Sequence, residues 1–267
     1  MPSKKHLAVL MAVVTFAGAA YAQRRGGYYG VRRPGPDSFK GTFTFCRLAV
    51  RASNGGGGGW AADYPRADEN LMIRLSELTK TAVNFDKTGT PHYVVITATD
   101  AELFQCPFVM LTDPSQAFLV EEEAAALRTY LQKGGFLWSD DFWGSYEWNH
   151  WVQELRKVLP AGPYPLVDLS ISHPMFHILY DAQRIPQIPN IGFYRGTHRT
   201  SERGAESAEP HAGAILDSKG RVMVLITHNT DFGDAYQREA EDAEYFYKFS
   251  VEGYAIGIDI LLYAMTH

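Results

Sequence analysis

The sequence predicts an α/β fold: a mainly parallel sheet flanked by helices, with a β-hairpin in its second half. Two observations carry this. Short, continuously apolar runs such as "HYVVITAT" and "PFVMLTD" suit strands covered on both faces. Between such runs lie segments with apolar residues at helical spacing. Strand and helix alternate in this way through residue 159, which implies right-handed crossovers and helices on both faces of the sheet.

The elements follow in order. "FTFCRLAV", residues 43–50, alternates and is rich in β-branched and aromatic side chains, so it reads as the first strand. A glycine loop and a proline turn follow, and Asp68 is expected to cap the next helix, because a short acceptor side chain takes up free N–H groups of a first turn. That helix, "ENLMIRLSELTK", places Leu71, Leu75 and Leu78 at helical spacing. "VEEEAAALRTYLQKGG" reads as a helix with acids in its first turn and a glycine stop, matching the helix dipole. "FLWS" is the next strand and "YEWNHWVQELRKVL" the next helix. "AGAILDSKGRVMVLITHN" reads as a hairpin around Asp217 and Gly220, and "FYKFSVEGYAIGIDILLYAMTH" closes the chain as an apolar-faced helix. Residues 195–211, "RGTHRTSERGAESAEPH", are polar and mixed in charge and read as a long surface loop.

The chain has 267 residues with a formal net charge of -5, enough apolar content for one substantial core and no basic excess that would call for nucleic acid. Residues 1–22 have a basic start, an apolar stretch and an Ala20-Tyr21-Ala22 ending, the pattern of a cleaved export signal. A membrane anchor is the alternative, but the apolar run is shorter than the ~20 residues a spanning helix needs. The expectation is export to the periplasm or the extracellular space, with no stable membrane insertion after cleavage. Residues 23–41, rich in Gly, Pro and Arg, read as a flexible arm, and residues 42–267 as one domain. Cys46 and Cys106 are the only cysteines. Each lies in or beside an apolar strand, where a small buried thiol is the expectation and pairing the alternative in an oxidising compartment.

In open parallel sheets ligands bind beyond the carboxyl ends of the strands. Four loops should converge there. They carry Trp60 and Asp63, then Asp113, then the adjacent pair Asp140 and Asp141 with Trp143, and finally His228, Asn229 and Asp231 in "THNTDFGD". Asp140 and Asp141 are the candidate catalytic carboxylates, although adjacent positions on a strand point apart, so both are not expected to face one substrate. The alternative is that one caps a helix while the other is solvated. Trp60, Asp63, Asp113, Trp143, His228, Asn229 and Asp231 are candidate ligand-binding residues, with Trp143 expected to be exposed. Asp141, His228 and Asp231 are candidate metal ligands, since carboxylates suit hard cations and histidine a transition metal. His173 and His177, four apart, read as a structural cap rather than a metal pair. Trp148 and Trp151 read as packing. No cofactor is expected: residues 55–59 lack the Gly-Lys-Ser/Thr ending of a phosphate loop and any dinucleotide fingerprint.

"WAADYPRADENLMIRLSELT", "CPFVMLTD", "EEEAAALRTYLQKGGFLWSDD", "SHPMFH" and "GYAIGIDILLYAMT" occur in an order that resembles the bacterial domain-of-unknown-function family DUF4159, from about residue 43 to residue 266. The resemblance implies a flavodoxin-like sandwich similar to class I glutamine amidotransferases. Those enzymes carry a cysteine nucleophile in a turn after a strand, whereas the corresponding turn here, "WSDDFWG", has none. The expected function is therefore a ligand-binding or structural envelope module without thiol chemistry, its ligand a polar small molecule or carbohydrate. The alternative is a carboxylate-dependent, metal-assisted hydrolase.

Overall fold

In chain order the strands of the computed structural model are β1 (Phe45–Ala49), β2 (Arg51–Ala52), β3 (Tyr93–Thr97), β4 (Phe108–Thr112), β5 (Ala117–Phe118), β6 (Phe136–Asp140), β7 (Leu166–Asp168), β8 (His211–Leu216) and β9 (Val222–His228). The helices are α1 (Arg66–Leu78), α2 (Glu121–Gln132), α3 (Gly144–Val158), α4 (Ile191–Thr197), α5 (Phe232–Gln237) and α6 (Ala243–Thr266). The structure describes residues 30–53 and 59–267. The signal expectation for residues 1–22, the arm through residue 29 and the glycine run at residues 54–58 lie outside the described residues.

Seven strands form one sheet in the order β3-β1-β4-β6-β9-β8-β7, and β2 pairs with β5 in a small antiparallel sheet. The first five are mutually parallel, while β8 and β7 extend the sheet antiparallel beyond β9. The chain places β3 on one side of β1 and β4 on the other. That reversal makes a switch point, where the loops leaving two neighbouring strands diverge and open a crevice at their carboxyl ends.

Period-two alternation divides the sheet's side chains between two cores. Phe45, Phe108, Phe136 and Trp138 pack with α1, α5 and α6. Cys46, Leu48, Val109 and Leu137 pack with α2 and α3 on the other face. On β6 the alternation continues to the end of the strand: Ser139 accepts a hydrogen bond from Trp151 Nε1 of α3 (2.9 Å), so Asp140 turns toward α5.

Three local features depart from expectation. Asp68 lies inside α1, fully buried, and binds Arg47 of β1 instead of capping the helix. Both side chains face the α1 layer, and the pairing offsets part of the cost of burying the two charges. Cys46 and Cys106 form a disulfide rather than two buried thiols, because β1 and the start of β4 are neighbours and both sulfurs point to the α2 layer. Within the expected arm, residues 33–41 carry contacts: Arg33 pairs with Asp100 at 3.2 Å, and Phe39 packs against the α2-side core.

α6 has the length and apolar composition to cross a membrane, yet Ile256, Ile258, Ile260 and Leu261 are core residues of the fold. Its Gly253 and Gly257 create a notch for α5. A Cβ at 257 would collide with the Tyr236 hydroxyl, which donates to Gly253 O at 2.9 Å. These two glycines thus set how deeply the helix that follows Asp231 can seat.

Candidate functional site

Each parallel strand around the switch point releases a loop that carries an acid to the same place. The loop after β1 brings Asp63, that after β4 brings Asp113, that after β6 brings Asp141, and that after β9 brings Asp231, with Asp234 on the first turn of α5. They line a cavity of about 480 Å³ together with Glu147, Glu202, Arg203, Asn190, Gln237 and Arg238. Asp63, Asp113 and Asp141 have φ of 62°, 40° and 60°, in the left-handed region. Aspartate tolerates that region better than most residues, but the conformation still costs energy, and strain of this kind gathers at functional sites.

The loop bearing Asp63 is held from beneath. Arg47 grips Asp68 through Nε and Nη2 and donates from Nη1 to Thr112 Oγ1 at 2.7 Å. Thr112 Oγ1 in turn lies 3.2 Å from Ala62 O, its acceptor. A buried cation on the strand therefore fixes the backbone next to Asp63. Asp113 closes the lip: its Oδ2 accepts from Gly59 N at 2.9 Å, and its Oδ1 takes the Ser115 hydroxyl and N–H.

Asp140 and Asp141 have different fates. Asp140 is fully buried; Oδ1 accepts from Thr227 Oγ1 at 2.5 Å, and Oδ2 accepts from the N–H groups of Phe232 (2.7 Å) and Gly233 (3.3 Å). It clasps β6 to the start of α5 and does not line the cavity. Asp141, one residue on, does line it.

Asp63, Asp231 and Asp234 converge most tightly, each offering an oxygen within 4.8 Å of the other two. Asp231 and Asp234 are buried. Asp231 Oδ1 accepts from Asp234 N at 2.7 Å, and Asp234 Oδ2 from Ile191 N at 2.6 Å. Asp63 Oδ2 is sealed from solvent and, among the described residues, accepts from no N–H or hydroxyl, while the Asp63 carboxyl hydrogen-bonds that of Asp234. Such an orphaned acceptor is uncommon, because an unmatched buried polar atom carries its whole desolvation cost. It rests over Gly233, where any Cβ would collide with it. The geometry suits one hard cation: oxygens on opposite sides of a calcium ion, each at about 2.4 Å, lie about 4.8 Å apart.

The electrostatics agree. Burial, with Asp234 adding repulsion, pushes the Asp63 carboxyl up to about 8. Burial also raises Asp141, Asp231 and Asp234, the first two well above the ordinary carboxylate range with neighbouring acids contributing. Asp140 is pushed up to about 7 by burial, against the pull of Thr227 and the α5 N–H groups. Glu202 is raised by burial too.

Of the residues singled out in the sequence, Asp63, Asp113, Asp141, Trp143 and Asp231 lie around the cavity, whereas Trp60, Asp140, His228 and Asn229 do not. Trp143 is only 5% exposed rather than open to solvent, because it is the residue just before α3 and is held down as its N–H donates to Glu147 Oε2 at 2.6 Å. Trp60 packs edge-on to Tyr64. His228 does not join the acids: its Nε2 is 3.0 Å from Gly144 O, and its ring is enclosed by Phe142, Trp148 and His211. Asn229 braces the wall, accepting from Gly144 N and donating to Glu209 O, both at 2.9 Å. His173 caps its short helix by accepting from Met175 N. The sequence reading missed Glu202 and Arg203, which come from the polar stretch taken as a surface loop, and Asp234, whose signal was its place three residues after Asp231 at a helix start.

Among curated proteins none matches this chain. The family model described as domain of unknown function DUF4159 matches residues 44–265, which spans the sheet, both helical layers and every cavity loop, and the chain belongs to that family.

Proposed function

We propose that this chain is an exported binding module whose carboxyl-edge cavity takes a hard divalent cation on Asp63, Asp231 and Asp234, and with it a polar ligand. The observation that carries the reading is the sealed Asp63 Oδ2, which accepts from no N–H or hydroxyl among the described residues, beside two buried carboxylates. A cation supplies the partner that the fold withholds, and it offsets the repulsion that keeps protons on these acids. The export half of the reading is supported by the leader pattern of residues 1–22 and by the disulfide, a bond that persists in oxidising compartments. Numbered in chain order, the five parallel strands follow 2-1-3-4-5, the flavodoxin-like order, which supports kinship with the glutamine amidotransferase-like fold. No thiol nucleophile operates in this reading, since both cysteines are oxidised and remote from the acids.

A second reading, metal-assisted hydrolysis, rests on Asp141. This carboxyl lines the cavity one residue beyond β6, near Asp63 and Asp231, where it would take a proton from a cation-bound water. Thermal unfolding with CaCl2, MgCl2, MnCl2 or EDTA tests the proposal. At a hundredfold excess over Kd a bound cation adds about 2.7 kcal/mol, so Tm rises by several degrees with at least one of the three. No rise with any of them contradicts it. Activity that is lost in Asp141→Asn while the cation-dependent rise persists selects the hydrolase.

A further inference from the structure

The chemistry of the cavity wall specifies its ligand further. Among the described residues, seven carboxylates and two guanidiniums line the cavity. The guanidiniums are already engaged, Arg203 with Glu147 at 3.1 Å and Arg238 with Glu241 at 2.8 Å. A divalent cation removes only part of the negative excess. A phosphate, sulfate or carboxylate ligand would enter against like charge in a partly desolvated space, which is strongly unfavourable.

The wall is also rich in acceptors, so it calls for a ligand rich in donors. Three protein carboxylates would fill fewer than the 6–8 oxygen positions that calcium takes, so a bound ion would have positions left for ligand or water oxygens. Hydroxyl groups satisfy both demands, donating to carboxylates and coordinating the cation through oxygen without bringing charge. Asp141, Glu202 and Asn190 stand around the triad to receive them. The volume of about 480 Å³ is within the usual range for small-ligand sites and admits a unit of sugar size.

Resting on the cation site proposed above, we infer that the ligand is a neutral polyhydroxylated molecule, a carbohydrate bound through adjacent hydroxyls to the cation, with Asp141 accepting from a further hydroxyl. The test uses the purified full chain on an array of neutral, sulfated, carboxylated and amine-bearing oligosaccharides, read in CaCl2 and again in EDTA. Calcium binding is measured separately by calorimetry. Neutral glycans are expected to bind in calcium and to lose about tenfold or more in EDTA, with a similar loss in Asp141→Asn, as removal of a charged hydrogen-bond acceptor implies. Asp141→Asn should still unfold cooperatively and still bind calcium.

Preference for sulfated or carboxylated glycans overturns the inference, as does neutral binding that ignores EDTA. Preference for amine-bearing glycans overturns it in favour of a cationic ligand. Calcium binding with no glycan bound sinks the polyol inference and leaves the cation site standing. Absence of calcium binding sinks the cation site itself.

Discussion

The two ends of the parallel sheet are built by opposite rules. At the amino end most polar groups are matched, with Thr42 Oγ1 the exception among the described residues. The Tyr130 hydroxyl donates to Cys106 O and accepts from Phe136 N, while Arg221 donates to the carbonyls of Leu131, Gly134 and Gly135 that end α2. Gly135 has no Cβ because the Tyr130 ring occupies that space, and the disulfide joins β1 to the start of β4. At the carboxyl end, acids crowd together, three of them with left-handed backbones, and two buried side-chain atoms, Asp63 Oδ2 and His228 Nδ1, meet no N–H or hydroxyl partner among the described residues. The contrast teaches that marginal stability is concentrated where a ligand can supply what is missing. A fold whose other end is mostly satisfied and cross-linked tolerates that deficit.

The largest expected effect tests the amino end. Reducing the disulfide, or replacing both cysteines by serine, opens a 60-residue loop and costs about 4 kcal/mol by chain entropy. Urea unfolding should show that loss, with calcium affinity unchanged under native conditions. A loss of affinity as large as that of an acid variant would erase the distinction between the ends. Next comes Asp140→Asn, which weakens the clasp on α5 by about 1–3 kcal/mol because a buried N–H or hydroxyl loses its acceptor. Asp141→Asn, one residue away, should leave unfolding nearly unchanged and impair the bound ligand instead. If the two variants behaved alike in both assays, the division of labour between neighbours would be wrong.

A further test is a pH dependence. Asp63 in the fold titrates near 8, above the roughly 3.9 of an unfolded aspartate. The protonated carboxyl is thus favoured by folding. The stability tied to it is full below pH ~4 and is lost as pH rises through about 8. Without cation, Tm should fall across this window, less steeply in Asp63→Asn. With calcium the fall should shrink or reverse, since binding displaces the protons. A wild-type profile that rises from pH 5 to 8 in EDTA would contradict the crowding account.

Much of the carboxyl end was legible in the sequence, because apolar runs that stop in Asp63, Asp113, Asp141 and Asp231 loops have only one edge to go to. Period-two alternation also says that Asp140 and Asp141 part company; which of them enters the cavity depends on α5 lying over the α1 face, a tertiary fact. Arg47 was hidden within the apolar pattern "FTFCRLAV", since its partner Asp68 is 21 residues away on a helix. Glu202 and Arg203 were invisible for a different reason: a polar stretch carries no periodicity, and only the folded path brings it back over the sheet. His228 stands three residues before Asp231 in sequence, whereas its neighbours in space are rings.

The central claim is that Asp63, Asp231 and Asp234 complete their polar environment with a cation. Crystals grown with MnCl2, measured at the manganese absorption edge, test it most directly. The account predicts an anomalous peak within bonding distance of one oxygen from each of the three, Asp63 Oδ2 among them, and no peak there in Asp63→Asn. A well-ordered, empty triad in manganese-soaked wild-type crystals, or a peak held by other residues alone, would contradict it.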